Sequence, residues 1–195
     1  MLFFTNALPS QQLPPEQDLA VNFLTSVFEP TSFKFAIDDE LEKAIPTLKD
    51  GELILFFTKG KWSMHQLIKH VAELIGPCDV TLCTWAMTEE PLRVIHNMKM
   101  DGKIKKLTGL FEHKIKTRGG AFAFAEQFFD EVILSKCHAK VTILQNEETS
   151  VSIFCSANLT KNRRIEAGVI FSNKDAAELS RRFIIHANDT DTDTN

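Results

Sequence analysis

The sequence predicts a single α/β domain with a mixed, largely parallel β-sheet that is flanked by helices on both faces. Apolar runs of strand length alternate along the chain with segments whose apolar residues recur at helical spacing. Turn signals such as Gly76-Pro77 and Asp101-Gly102 separate the two kinds of segment. The 195 residues, 44% hydrophobic and 25% charged, fit one ordinary globular domain.

The ends of the chain differ from its middle. Residues 1–32 are predicted to form an N-terminal arm that packs on the domain or on a partner, because several prolines interrupt this segment and no periodicity is sustained. The domain itself is predicted to span 33–187. The polar segment 188–195 has no apolar anchor and is predicted to be a disordered tail.

The first part of the domain predicts a β-α-β arrangement. Residues 33–37 alternate like a strand, a short helix is expected over 39–48, and 52–57 is an apolar run of buried-strand length. Apolar residues then recur at helical spacing over 62–75. Consecutive strands joined through helices favour parallel pairing with right-handed crossovers.

The second part continues the alternation. A buried strand is predicted over 80–85, and Thr88 followed by Glu89, Glu90 and Pro91 has the composition of a helix N-terminus. That helix is expected to end near Met100. The segments predicted after it are a strand over 104–111, a short helix over 122–129 and a brief strand over 132–134.

Two classes of protein are disfavoured by composition. No apolar run approaches the roughly 20 residues that cross a bilayer, and the opening residues lack the basic start of a secretory signal, so no membrane association and a cytoplasmic location are expected. The net charge of −4 disfavours a protein that coats nucleic acid through bulk charge. The stretch 93–118 is nevertheless strongly basic, which fits either a solvated face or a polyanion-binding surface.

The cysteines do not predict a metal centre. Cys78, Cys83, Cys137 and Cys155 lie in apolar, strand-like stretches, where reduced cysteine usually acts as a small buried hydrophobic residue. Their spacing fits no strong zinc-ligand pattern. We therefore expect neither a bound metal nor a cofactor.

A β-hairpin is predicted to carry the polar residues of a site. The chain alternates over 138–144, turns through the polar segment 145–150 and resumes as a strand over 151–155.

The expected register brings four polar side chains together. A pairing centred near Glu148 places His138 opposite Asn158 and Lys140 opposite Ser156. Because cross-strand partners share a face of the sheet, these four side chains are expected to converge on one side.

These residue types suit a phosphodiester. Lysine supplies a cation for the non-bridging oxygens, and serine and asparagine supply neutral donors. Histidine, whose ordinary pKa is near neutral, can attack phosphorus directly, so His138 is the predicted nucleophile. The leaving oxygen also needs a proton, and one histidine cannot perform both tasks at once.

The order of these residues resembles the HKD motif of the phospholipase D superfamily, most strongly that of its small bacterial nuclease-like members. The resemblance follows the motif closely and covers 33–187 loosely. It implies a phospholipase D-like fold and a metal-independent phosphodiesterase that acts through a covalent phosphohistidine, and the nuclease-like members favour a nuclease. The matching residues, all predicted to be catalytic, are His138, Lys140, Ser156, Asn158 and Glu166.

Two positions depart from the family pattern. The aspartate expected five residues after the lysine is Gln145, and the glycine that usually precedes the serine is Cys155. Glu166 is predicted to accept a hydrogen bond from His138 and to fix its tautomer. These departures keep open a second hypothesis, which is a nucleic-acid-binding module on the same fold with little or no turnover. The third hypothesis is a phosphodiesterase that acts on phospholipids.

The chain carries only one complete His-x-Lys motif. Single-motif members of the superfamily pair two chains about a twofold axis, so the resemblance implies a homodimer in which two His138 side chains meet. Nucleic acid is the expected substrate. Simple solvated charge is the alternative for the residues predicted to bind it, which are Thr160, Lys161, Arg163 and Arg164.

Overall fold

The computed structural model describes residues 30–36, 40–117, 120–161 and 163–187. The predicted tail and residues 1–29 of the predicted arm lie outside these ranges. Within the described residues, no helix combines the length and the apolar character needed to cross a bilayer.

As far as Cys155, the strands and helices follow one another in the order that the sequence predicts. The strands are β1 (Ser32–Ala36), β2 (Glu52–Phe57), β3 (Cys78–Thr84), β4 (Ile104–Glu112), β5 (Glu131–Ser135), β6 (Val141–Gln145), β7 (Ser150–Cys155) and β8 (Ala167–Ser172). The helices are α1 (Leu41–Ala44), α2 (Met64–Ile75), α3 (Glu89–Met100), α4 (Gly120–Glu126) and α5 (Lys174–Ile185), with a 3₁₀ helix over His113–Thr117.

The eight strands form one mixed sheet in the order β1-β2-β8-β7-β6-β3-β4-β5. The pairs β1–β2, β3–β4 and β4–β5 are parallel. The pairs β2–β8, β8–β7, β7–β6 and β6–β3 are antiparallel. The predicted α/β class and the mixed sheet are confirmed. The antiparallel share is larger than predicted because β6, β7 and β8 lie between the two parallel groups.

Helices cover both faces of the sheet, as predicted. Ile143 of β6 packs with Ala177 and Ile184 of α5. The next residue, Leu144, points to the other face and belongs to the larger core with Leu67 of α2. Successive residues of a strand face opposite sides of the sheet, so this change of partner places α5 on one face and α2 on the other.

Helix α2 combines a buried apolar stripe with sequence signals that begin and end a helix. Its residues Leu67, Ile68 and Val71 are fully buried. At its N-terminus the backbone N–H of Ser63 donates to Gln66 Oε1 at 2.8 Å, one half of a capping box. Gly76 ends the helix at a φ of +82°, a conformation that glycine adopts readily.

One edge of the sheet collects the ends of most strands. Cross-strand pairs there join Cys83 to Val141, Val141 to Phe154, and Phe57 to Ala167. The carboxyl ends of β2, β3, β4, β5 and β7 therefore meet the amino ends of β6 and β8. We call this side of the sheet the carboxyl edge. In open α/β sheets, ligands bind outside the carboxyl ends of the strands.

The register of the β6–β7 hairpin differs from the prediction by one residue. Gln145 pairs with Ser150, and the N–H of Cys155 donates to the carbonyl oxygen of Lys140 at 3.1 Å. The predicted pairings of Lys140 with Ser156 and of His138 with Asn158 are therefore wrong. Strand β6 also begins only at Val141, so His138 and Lys140 lie in the connection before it.

The turn explains the shift. It contains four residues, 146–149, so it cannot be centred on a single residue such as Glu148. Asn146 Oδ1 accepts hydrogen bonds from the N–H groups of Glu148 at 3.0 Å and Thr149 at 2.8 Å. Its amide nitrogen also donates to the carbonyl oxygen of Ile75 at 2.7 Å. An asparagine side chain thus selects the turn and with it the register.

Candidate functional site

The predicted nucleophile lies on a connection that runs along the carboxyl edge. Strands β5 and β6 are separated in the sheet by β4 and β3, so residues 136–140 cross the ends of both. The N–H of Cys137 donates to Glu112 Oε2, at the end of β4, at 3.2 Å. The ring of His138 packs on Trp85, just past the end of β3, with 5.6 Å between ring centroids. His138 is therefore held at the edge while it remains exposed.

The lysine of the motif contacts the histidine. Lys140 Nζ lies 3.3 Å from His138 Nδ1 and 3.5 Å from Nε2. It also donates to the carbonyl oxygen of His138. A ring nitrogen and an ammonium group this close can meet the same anion, one as a nucleophile and the other as a counter-charge.

The serine of the motif binds the glutamate. The hydroxyl of Ser156 donates to the carboxylate of Glu166 and accepts from the N–H of Ala167 at 3.1 Å. Among the described residues the structure contains no hydrogen bond between Glu166 and His138, so this predicted contact is wrong. Glu166 binds Ser156 because the antiparallel pairing of β7 with β8 brings Ser156 beside Ala167, and hence beside Glu166.

The asparagine of the motif is anchored to the end of β3. Thr84 Oγ1 is buried, lies 3.3 Å from Asn158 Oδ1 and 2.9 Å from the carbonyl oxygen of Ala86, and accepts from the N–H of Leu159 at 3.2 Å. Thr84 and Lys140 line the same small cavity. Asn158 is thus brought to the neighbourhood of Lys140 through Thr84, a residue that sequence reasoning missed.

Loss of the Thr84 hydroxyl is expected to destabilise the protein. Thr84→Val preserves the shape of the side chain but removes the hydroxyl that accepts from the buried N–H of Leu159, which then keeps only the carbonyl oxygen of Ala86 as its acceptor. We expect the free energy of unfolding to fall by about 0.5 to 1.5 kcal/mol in urea titrations, the net contribution of a typical hydrogen bond. Thr81→Val is the matched control, since Thr81 is a buried threonine of the same strand for which no hydrogen bond to a described residue is found. Equal losses in the two variants would contradict the anchoring role.

A second threonine holds the segment that follows the motif. Thr58 Oγ1 accepts from the N–H of Glu166 at 3.0 Å and donates to the carbonyl oxygen of Arg164 at 3.2 Å. Gly60, at a φ of +73°, approaches so closely that a Cβ atom would lie 2.3 Å from the carbonyl oxygen of Arg163. The turn after β2 therefore fixes the backbone of 163–166 at the carboxyl edge. Sequence reasoning also missed this role of Thr58.

The predicted substrate-binding residues have different surroundings. The N–H of Thr160 donates to the carbonyl oxygen of Asn158 at 2.8 Å. Lys161 Nζ forms an ion pair with Glu90 at 2.8 Å, so its charge is partly neutralised. Arg163 and Arg164 are exposed. Lys161 is exposed as well, so all three predicted cations lie at the protein surface.

The departure at Cys155 is accommodated sterically. Its partner across the sheet is Gly168, where an added Cβ would lie 2.7 Å from the Cβ of Cys155 and 2.5 Å from the ring of Phe56. The glycine on β8 thus supplies the space that the cysteine needs. Burial raises the pKa of the Cys155 thiol to about 11, so it stays protonated at neutral pH.

The departure at Gln145 lies far from the site. Gln145 ends β6, five residues beyond Lys140, and pairs with Asp79 at the beginning of β3. Five residues of a strand span about 17 Å. The side chain of Gln145 therefore lies near the opposite edge of the sheet.

A pair of thiols lies beneath the nucleophile. A hydrogen bond from the thiol of Cys83 lowers the pKa of Cys137 below its ordinary value, and the charge of Lys140 acts in the same direction. Both cysteines are buried. In the described part of the chain, no group of three or more His, Cys, Asp or Glu residues is arranged to hold a metal ion.

Comparisons with known proteins identify the fold. No family model matches the chain, and no curated protein matches it significantly. NucT from Helicobacter pylori matches with a TM-score of 0.53 and 14% identity, over 69% of this chain and 95% of NucT. The chain has a phospholipase D-like fold.

Part of polyphosphate kinase from Porphyromonas gingivalis has a similar fold. It matches with a TM-score of 0.53 and 14% identity, over 75% of this chain and 26% of that chain. The chain thus spans about a quarter of the kinase. The fold implied by the HKD-like motif is confirmed. Sequence identities as low as 14% show the fold and not the activity.

Proposed function

We propose that the protein is a metal-independent phosphodiesterase that hydrolyses nucleic acid through a covalent phosphohistidine, in a site shared by two copies of the chain. The observation that carries this proposal is the contact between His138 and Lys140 at the carboxyl edge of a phospholipase D-like fold. Ser156 and Asn158 lie on the adjoining segment, which supports a site with several hydrogen-bond donors for a phosphate group.

The proposed reaction has two steps. His138 attacks phosphorus, a nitrogen–phosphorus bond forms and the bond from phosphorus to the leaving oxygen breaks, while His138 of the second copy gives that oxygen a proton. Water then attacks phosphorus and loses its proton to the same second histidine, and the nitrogen–phosphorus bond breaks. Lys140 and Asn158 stabilise the charge on the non-bridging oxygens in both steps.

A second copy is also favoured by the surface beside the motif. An apolar groove of about 260 Å³ lies between Ala139, Phe154 and Phe183. The two phenylalanines remain 40% and 53% exposed in the single chain. Because Ala139 lies between His138 and Lys140, a copy that covers the groove also reaches the site. We infer that this groove is part of the dimer interface.

A charge in the groove is expected to separate the two copies. Phe183→Glu places an unpaired carboxylate where an apolar contact is proposed, and its desolvation opposes association. We expect light scattering after size exclusion to give a mass near the 22.1 kDa of one chain in place of twice that mass. Cleavage at submicromolar protein should fall at least about tenfold, since only the associated fraction is active.

Met100→Glu is the control for that substitution. Met100 is 71% exposed at the end of α3, away from the carboxyl edge, so the same charge there should change neither mass nor activity. A Phe183→Glu variant that keeps the mass and the activity of the parent would place the interface elsewhere.

The proposed activity is tested by cleavage of single-stranded and duplex DNA and RNA in the presence of EDTA. A metal-independent phosphodiesterase keeps its rate under these conditions. Activity that disappears with the chelator and returns with added magnesium would reject the proposal.

A binding module without turnover is the second candidate. It is favoured by the position of Glu166, which binds Ser156 and makes no hydrogen bond to His138 among the described residues. This candidate predicts salt-sensitive binding of nucleic acid without cleavage in the same assays.

A further inference from the structure

The carboxyl edge carries cations beyond those of the motif. Lys114 and Lys116 lie in the 3₁₀ helix that follows β4, and Lys136 follows β5 directly. All three side chains are exposed. Lys136 lies two residues before His138, on the same connection along the edge.

These three lysines have no carboxylate partner among the described residues, unlike several lysines elsewhere. Near the opposite edge, Lys103 pairs with Glu73 at 2.9 Å and Lys106 with Glu131 at 3.8 Å. The acid closest in sequence to Lys114 is Glu112, which is only 9% exposed and accepts hydrogen bonds from the backbone N–H groups of Cys137 and Lys114. Glu112 is thus directed at backbone donors, and the lysine charges face solvent.

The positions of the lysines form a path that leads away from the nucleophile. Strand β4 lies two strand spacings from β6, and β5 lies three. At about 4.8 Å per spacing, the path extends about 10 to 14 Å from the beginning of β6. Successive nucleotides of one duplex strand advance about 3.4 Å, so this distance corresponds to roughly three or four nucleotides.

We propose that Lys114, Lys116 and Lys136 bind the backbone phosphates of a polynucleotide on one side of the bond that is cut. The proposal rests on the proposed function and specifies its substrate, which is a chain that continues for several nucleotides beyond the scissile phosphate. The lysines act on affinity and leave the chemical step to the motif, because phosphate contacts of this kind position a strand.

The test compares two triple variants that remove the same charge. Lys114→Gln, Lys116→Gln and Lys136→Gln are combined in one variant. Its matched control combines Lys49→Gln, Lys105→Gln and Lys174→Gln, which replace three exposed lysines near the opposite edge. Both are made in the His138→Ala background, so that binding of labelled oligonucleotides of about 30 nucleotides, single-stranded and duplex, is measured without cleavage.

The edge variant, which lacks Lys114, Lys116 and Lys136, should bind at least about tenfold more weakly than the control. Its plot of log affinity against log salt should be shallower by about 2 to 3, since each of the three lost phosphate contacts contributes about 0.7 to 0.9. Equal affinity and equal salt dependence in the two variants would overturn the proposal.

A second measurement separates this inference from the proposed function. The same triple variants are made with His138 intact and assayed on bis(p-nitrophenyl) phosphate, whose single phosphate is the one that reacts and which offers no further phosphate to the lysines. Equal turnover of this diester by both variants is expected, and a selective loss in the edge variant would overturn the assigned role. If the unaltered protein hydrolyses no diester at all, the proposed function fails, while the binding comparison still decides the role of the lysines.

Discussion

His138→Ala should reduce cleavage of every substrate by at least about 10³-fold in the presence of EDTA. The substitution removes the nucleophile from one half of the site and the proton donor from the other, and each task is worth about two to four orders of magnitude. Single-turnover cleavage of a labelled oligonucleotide measures the loss.

His113→Ala is the control for this prediction. His113 is another exposed histidine at the carboxyl edge, where its Nδ1 lies 3.3 Å from Glu112 Oε1. Its replacement should leave the rate within about twofold, because His113 has no part in the proposed reaction. Cleavage that survives in His138→Ala would show that another group attacks phosphorus.

Lys140→Ala should lower the rate of the chemical step by about 10² to 10³-fold. Removal of a single preorganised donor to a developing oxyanion costs about this much in other enzymes. The contact of Lys140 Nζ with the His138 ring, at 3.3 Å, places its charge beside the nucleophile. Turnover of bis(p-nitrophenyl) phosphate measures the effect without a contribution from binding a long substrate.

Lys136→Ala is the matched control, because it removes a lysine from the same connection but outside the motif. It should leave turnover of the small diester unchanged. An equal loss in both variants would indicate that the general positive charge of the edge, and not the motif lysine, supports the reaction.

Local patterns in the sequence predicted most of the elements. The apolar run Glu52–Phe57 and the helix Glu89–Met100 appear with the expected bounds, because burial and end signals determine such segments locally, although the Thr88 side chain makes no cap hydrogen bond. Strand β8 and helix α5 were not predicted individually. Both lie beyond Glu166, the last residue of the motif, although an apolar run marks the strand and Asn173 caps the helix.

The site was only partly predictable because some of its contacts join distant segments. The neighbouring positions of His138 and Lys140 follow from their spacing. Thr84 and Asn158 are separated by 74 residues, and Thr58 and Glu166 by 108. No pattern within a single sequence specifies such pairs.

The hairpin register was missed for a related reason. One hydrogen-bonded side chain, that of Asn146, chooses between turns that differ by a residue. That choice decides which residues pair across β6 and β7, and with it whether Lys140 faces Cys155 or Ser156.

The central claim is that the imidazole of His138 becomes bonded to phosphorus. The most direct measurement is mass spectrometry of the peptide that contains His138, after the reaction with an oligonucleotide is stopped by base, under which phosphohistidine survives. The account predicts an added phosphoryl or nucleotidyl mass on His138, present during turnover and absent from the His138→Ala protein. Rapid cleavage with an unmodified His138 at every time point, or with the added mass on a different residue, would contradict it.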